Sequence, residues 1–132
     1  MGTRSLTNIT IGDEPVVCIY RQYDGHIESH GHDLLEVLSL RLTNGIGADS
    51  EGTANGPDCL AAQIVSRLKG DQVGGVYLYP IGSADEEFTY DITLPTIDHI
   101  NDPIRVAVSG GASFKGTLDE FRTFVAKHRG ES

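Results

Sequence analysis

"LTNITIGDEPVVCIYRQY", residues 6–23, decides how the rest of the chain is read. Residues 6–11 and 16–23 are rich in Ile, Val, Thr and Tyr, the residue types that suit a pleated, half-buried surface. "GDEP" between them is turn chemistry, so the two runs fold back on each other as a hairpin. Later strands follow the same habit. Residues 73–79 and 87–92 read as a third and a fourth strand. In the fourth, Phe88, Tyr90 and Ile92 point to one face, and Thr89, Asp91 and Thr93 to the other. Residues 104–108 and 112–115 flank "SGG", another hairpin signal.

Helical spacing appears three times. Residues 33–42 carry Leu34, Leu35, Val37, Leu38 and Leu42 on one stripe. A second helix starts near Pro57, whose missing N–H costs nothing at the first helical position, and buries Leu60, Ala61, Ile64, Val65 and Leu68 before Gly70 stops it. The last begins at "TLDE", with Thr117 as N-cap and Glu120 completing a capping box. Leu118, Phe121, Phe124 and Val125 form its apolar face, and Lys127, His128 and Arg129 suit its C-terminal end. The predicted order is β β α α β β β β α. Strands that come in hairpins predict an α+β fold: one two-layer domain over residues 1–132, with an antiparallel sheet of about five to six strands and helices packed on one face.

The chain has 132 residues, 39% of them hydrophobic and 22% charged, and a formal net charge of −9. A domain of this length buries roughly 68% of its unfolded surface, enough for a core without staples. Nothing approaches the run of about 20 apolar residues that spans a bilayer. "MGTRSLTNITIGD" lacks an apolar signal core, and Leu6 stands where a myristoylation start wants Ser or Thr. A soluble, cytoplasmic protein is expected. Cys18 and Cys59 lie in apolar segments and read as buried free thiols. From Gly82 to Asp102 the charged residues are Asp85, Glu86, Glu87, Asp91, Asp98 and Asp102, with no Lys or Arg. That sign disfavours direct nucleic-acid binding and suits either a solvated face or a surface that captures a partner protein.

Candidate sites fall in four places. The stretch from Thr43 to Gly56 reads as one long loop with two Asn-Gly pairs, delivering the chain to a helix N-terminus that can hold an anion. It has no Gly-Lys-Ser/Thr and no preceding strand, so it is neither a P-loop nor a dinucleotide fingerprint. Arg4 and "YRQYDG" (residues 20–25) gather donors and acceptors at one end of the hairpin. Arg21 can recognise a carboxylate or phosphate with two bonds, or simply tie strand ends down through an Arg21–Asp24 or Arg4–acid pair. His26, His30 and His32 match no standard zinc spacing and read as solvated loop histidines. Cys59 and Gln63 share a helix face, but no sequence signature pairs a His base with Cys59.

"MGTRSLT" (1–7), "YRQYDG" (20–25), "HG" (30–31), "NGIGAD" (44–49), "ANG" (54–56), "CLAAQ" (59–63) and "VYLYP" (76–80) occur in order. As a set they resemble a family of small uncharacterised proteins of bacteriophage and bacterial genomes, over residues 1–92. The tail from Leu94 onward shows no such likeness. The resemblance implies a phage or prophage setting. It also implies that the family's polar residues fall at Arg4, Arg21, Gln22, Asp24, Asn44, Asp49, Asn55 and Gln63 here. His26 stands where relatives carry an aromatic residue, and His32 is particular to this chain.

These residues predict a non-enzymatic binding protein that holds a small polar or nucleotide-like ligand near the 43–56 loop. Arg4, Arg21, Gln22, Asp24, Asn44, Asp49, Asn55 and Gln63 are its expected contacts. No cofactor, metal, membrane or direct nucleic-acid partner is expected; a homo-oligomer is compatible. One alternative is an acidic protein-interaction module that inhibits a host factor through the 82–102 face. Another is a small hydrolase acting on a nucleotide or amide, with Asp24 or Asp49 as base.

Overall fold

The computed structural model describes residues 2–44 and 52–130. Strands β1 (Ser5–Ile11) and β2 (Glu14–Arg21) form the expected hairpin around Gly12, whose φ of +61° serves the turn. A π-helical turn, Ile27–Gly31, leads into helix α1, His32–Leu38. Short strands β3 (Arg41–Thr43) and β4 (Thr53–Asn55) precede helix α2, Gly56–Lys69. Then follow β5 (Val76–Tyr79), β6 (Phe88–Leu94), a 3₁₀ turn at Ile97–His99, β7 (Arg105–Gly110), β8 (Phe114–Thr117) and helix α3, Leu118–His128.

Six strands form one sheet in the order β5-β2-β1-β6-β7-β8. The α+β class with helices on one face holds. One pairing departs from expectation: β1 and β6 run parallel, Ser5 opposite Phe88 and Ile11 opposite Leu94. The cause lies in β5. It pairs antiparallel with β2 at the sheet edge, so it runs in the same direction as β1. Residues 80–87 must then carry the chain back along the strands before β6 begins. At a reach of about 3.3–3.6 Å per residue, that segment suffices without a helix. It crosses the face opposite the helices. There Ser83 lies beside the Cys18 thiol, and a Glu87 oxygen accepts from the Arg4 N–H at 3.3 Å.

The helix-facing side of the sheet carries Ile9, Ile19, Tyr90, Ile92, Val106 and Val108, packed against Leu34, Leu60, Ile64 and Phe121. Each such side chain contributes about 1.5–3 kcal/mol on burial, which holds the helices to the sheet. Leu6, Cys18 and Tyr20 form a small second core on the opposite face. The α3 capping box forms as expected, with the Thr117 N–H donating to a Glu120 oxygen at 2.8 Å.

Two local expectations change. Helix α1 ends at Leu38 rather than near Leu42, because the i→i−4 ladder stops after Ser39: the Leu40 N–H tightens onto the Val37 carbonyl at 3.2 Å, and the Arg41 N–H leaves the helix for the Gly52 carbonyl at 2.9 Å. Leu42 packs from β3 instead. The stretch expected as one loop is braced at its base, where β3 and β4 pair in parallel with Arg41 opposite Thr53 and Thr43 opposite Asn55. Residues 45–51 within it, Asp49 included, lie outside the described residues.

Candidate functional site

Arg21 ends β2 on the helix-facing side, in register with Ser5 and Val76. Its guanidinium reaches His30 Nδ1 at 3.0 Å and Asp33 Oδ2 at 3.0 Å. A guanidinium only donates, so Nδ1 of His30 must be the acceptor and Nε2 must carry the proton. That N–H donates to Thr7 Oγ1 at 2.7 Å. The imidazole packs on the Tyr90 ring at 4.5 Å, and the Tyr90 hydroxyl donates to the Gly25 carbonyl at 2.8 Å. Asp33 continues the chain of contacts to Arg67 of α2, which also pairs with Glu36.

This network corrects the reading of His30 as a solvated loop histidine: it is fully buried. Burial, and secondarily the charge on Arg21, push its pKa down to about 3. Both ring nitrogens are engaged by protein. The Arg21 partner is Asp33 of α1, not the Asp24 expected from proximity in sequence. Burial, with a smaller contribution from the Glu28 carboxylate, raises the Tyr90 pKa above the ordinary phenol range. The network fastens three layers of structure: the sheet through Thr7 and Arg21, the π-helical turn through His30, and the helices through Asp33 and Arg67. Among the described residues no three His, Cys, Asp or Glu side chains gather as a metal-ligand set.

The expected ligand contacts separate into three groups. Arg4, Arg21, Gln22 and Asp24 share the end of the hairpin where β1 begins. The Gln22 N–H donates to Gly75 there, and Asp24, at φ 62°, turns the chain so that Gly25 N–H reaches the Thr3 carbonyl. Asn44 and Asn55 sit by the paired ends of β3 and β4, and Asn55 faces the same cavity as Ile11. Ile11 is the far end of β1, about 20 Å from Ser5 at ~3.3 Å per residue. Gln63 lies apart, on the exposed side of α2 beside Glu36 and Arg67. The two arginines and the two asparagines therefore do not line one pocket.

The concave surface belongs to the Ile11 end. A cleft of 620 Å³ lies between the β1–β2 turn (Gly12, Asp13), the end of β6 (Thr93, Leu94), Pro95, Thr96, His99, Asp102, Pro103 and Arg105. The turn is pressed close to its wall, since a Cβ on Gly12 would meet Thr96 Cγ2 at 2.7 Å. Beside it, and sharing Thr96, a cavity of 390 Å³ opens on the N-terminus of α2 among Ile11, Asn55, Gly56, Pro57, Asp58 and Ile97. Asn55 occupies the N-cap position but makes no side-chain capping bond, so the first-turn N–H groups carry the helix's positive end uncapped by it. Arg105 is exposed; its backbone belongs to the β7 ladder, its charge helps hold the Glu120 carboxyl below its usual range, and among the described residues its guanidinium makes no hydrogen bond and no close ion pair. Sequence reading did not single out His99 or Arg105. Neither belongs to a motif, and only the sheet register sets Arg105 opposite Thr93 at the cleft wall.

Cys59 is half-buried rather than buried, and both cysteines are free. Among the described residues no helix is long and apolar enough to cross a membrane. Comparison with protein-family models, with curated proteins and with solved structures found no match.

Proposed function

We propose that this chain is a non-enzymatic binding protein of a phage or bacterial cytoplasm that holds a small polar ligand in the joined clefts at the Ile11–Thr96 end. The observation that carries this is the meeting, at Thr96, of a 620 Å³ cleft lined by the exposed Arg105 with a cavity onto the α2 N-terminus. Ligand pockets usually measure about 300–1,000 Å³ and place a few polar groups to fix orientation. A guanidinium and a helix N-terminus both favour an anionic group. Asp13, Asp58 and Asp102 on the same walls favour hydroxyl or amino donors elsewhere on the ligand. A nucleotide-like molecule has both. Asn55 keeps its expected part, and Arg105 and His99 take the place expected for Arg4 and Arg21.

Titration of ¹⁵N-labelled protein with nucleoside monophosphates, inorganic phosphate and small carboxylates tests this. Amide shifts should cluster at Gly12, Asn55, Thr96, His99 and Arg105, and Arg105→Ala should weaken binding at least tenfold with Tm unchanged. Shifts clustered instead at Arg4, Gln22 and Asp24, or no binding by any probe at millimolar concentration, would overturn the proposal.

A further inference from the structure

We infer that two copies of this chain pair through β5, antiparallel about a two-fold axis at Leu78. β5 is an edge of the six-stranded sheet. The Gln22 N–H bonds the Gly75 carbonyl directly across from it, which makes Gln22–Gly75 a hydrogen-bonded pair of the antiparallel ladder. By alternation Tyr77 and Tyr79 also face β2, and the N–H and C=O of Val76 and Leu78 point outward from the sheet.

The two ends of this edge are already closed. Lys69 Nζ donates to the Val76 carbonyl at 3.0 Å. Pro80 has no N–H, and its carbonyl accepts from Ser83 Oγ at 2.6 Å. Leu78 is left with both groups open, and no described residue bonds them. An axis at Leu78 sets its N–H against the Leu78 carbonyl of the second copy, twice over. It also sets Val76 against Pro80 of the second copy, which has no donor to offer the Val76 carbonyl. Lys69 supplies that donor from within each chain. An axis one residue earlier, at Tyr77, would drive Leu78 of the second copy into the space that Lys69 holds. The edge is thus self-complementary at one register, and its closed ends limit pairing to a short, closed contact rather than a growing sheet.

The apolar surface fits the same occupant. Tyr23, Val73, Tyr77, Leu78, Tyr79 and Ile81 are exposed on and beside this edge, from 39% for Tyr79 to 100% for Val73. At about 200 Å² for a large side chain, they present roughly 700 Å², near the ~800 Å² per partner of a standard interface. β5 itself, VYLY, carries no charge, so two copies meet there without like-charge repulsion on the strand.

Sedimentation velocity between 1 and 200 µM tests the state, and a cysteine at the axis tests the register. Wild type should sediment as a dimer that dissociates on dilution. Leu78→Lys should raise the dimer dissociation constant at least tenfold while its circular dichroism and Tm stay at wild-type values. In a Cys59→Ser background, Leu78→Cys should oxidise to a covalent dimer, because directly opposed hydrogen-bonded residues have Cα atoms about 5.5 Å apart, within disulfide reach. A Tyr77→Cys control should not. A monomer throughout the range, a dimer indifferent to Leu78→Lys, open-ended assembly, or cross-linking through Tyr77→Cys in preference to Leu78→Cys would each overturn the inference.

Discussion

Lowering the pH from 7.5 to 5 should cost the fold about 2 kcal/mol through one side chain, His30. The imidazole is fully buried, with Arg21 donating to one nitrogen and Thr7 accepting from the other. A proton added to it has no acceptor to meet and lies beside a guanidinium. Its pKa in the folded state is accordingly depressed to about 3, against about 6.5 in an unfolded chain. As the pH falls, the unfolded state takes up its proton first. The stability tied to neutral His30 is therefore complete above pH ~6.5 and is lost progressively as the pH drops toward 3. At about 1.36 kcal/mol per pH unit, the ~1.5 units between 6.5 and 5 give the 2 kcal/mol. Against a total of roughly 5–15 kcal/mol for a domain, that is a large share.

Urea unfolding at pH 7.5 and 5.0, at constant ionic strength, reads the loss as a shift in midpoint with m unchanged. Glu120, whose carboxyl is held below its usual range by the Thr117 N–H and hydroxyl, loses its contribution only at lower pH and does not enter this window. Long-range ¹H–¹⁵N spectra of the folded protein should show the His30 ring as one Nε2–H tautomer, unchanged across the same range. An imidazole that titrates near pH 6.5 in the folded state, or a stability equal at both pH values, would refute the account of the network.

Other outcomes follow from single contacts. Tyr90→Phe removes the donor to the buried Gly25 carbonyl and should lower stability by about 1–3 kcal/mol in urea unfolding. Gly110 has φ +95°, and a Cβ there would lie 2.2 Å from the Glu87 carbonyl oxygen. Gly110→Ala should therefore cost clearly more than Gly130→Ala, where φ is +76° but nothing lies within 4 Å; the latter should show only the roughly 1–2 kcal/mol of a left-handed L-residue. In the native protein a thiol reagent should label Cys59 well before Cys18, whose thiol is buried and raised in pKa by that burial. Equal labelling rates in peptide mapping would contradict the position of residues 80–87 over the second core.

Local signals carried much of the fold. Turn chemistry at residues 12–15, Pro57 at a helix start and the Thr117–Glu120 box each act within a few residues, so each is legible in sequence. The end of α1 was not, because Leu40 and Leu42 continue the apolar stripe while the Arg41 N–H is drawn off to the distant Gly52 carbonyl, which no periodicity reveals. The parallel β1–β6 pair was hidden for a different reason. A polar segment such as residues 80–87 can turn back as a hairpin or cross over, and only the placement of β5 against β2 selects the crossover.

The polar residues divide in the same way. The sequence by itself determined which side chains could donate, accept or titrate, and it marked Arg21 and the histidines as chemically capable. Tertiary structure decided what each one does. Arg21 and His30 meet across nine positions of sequence because β2 and the π-helical turn pack there, and burial then strips the histidine of its charge. Arg105 and Asn55, far apart in the chain and in no common motif, come to adjoining clefts because the register of β6 and β7 and the start of α2 meet near Thr96. Covalent order specifies local torsions and polarity; burial and juxtaposition are set by long-range packing, which a linear pattern does not record.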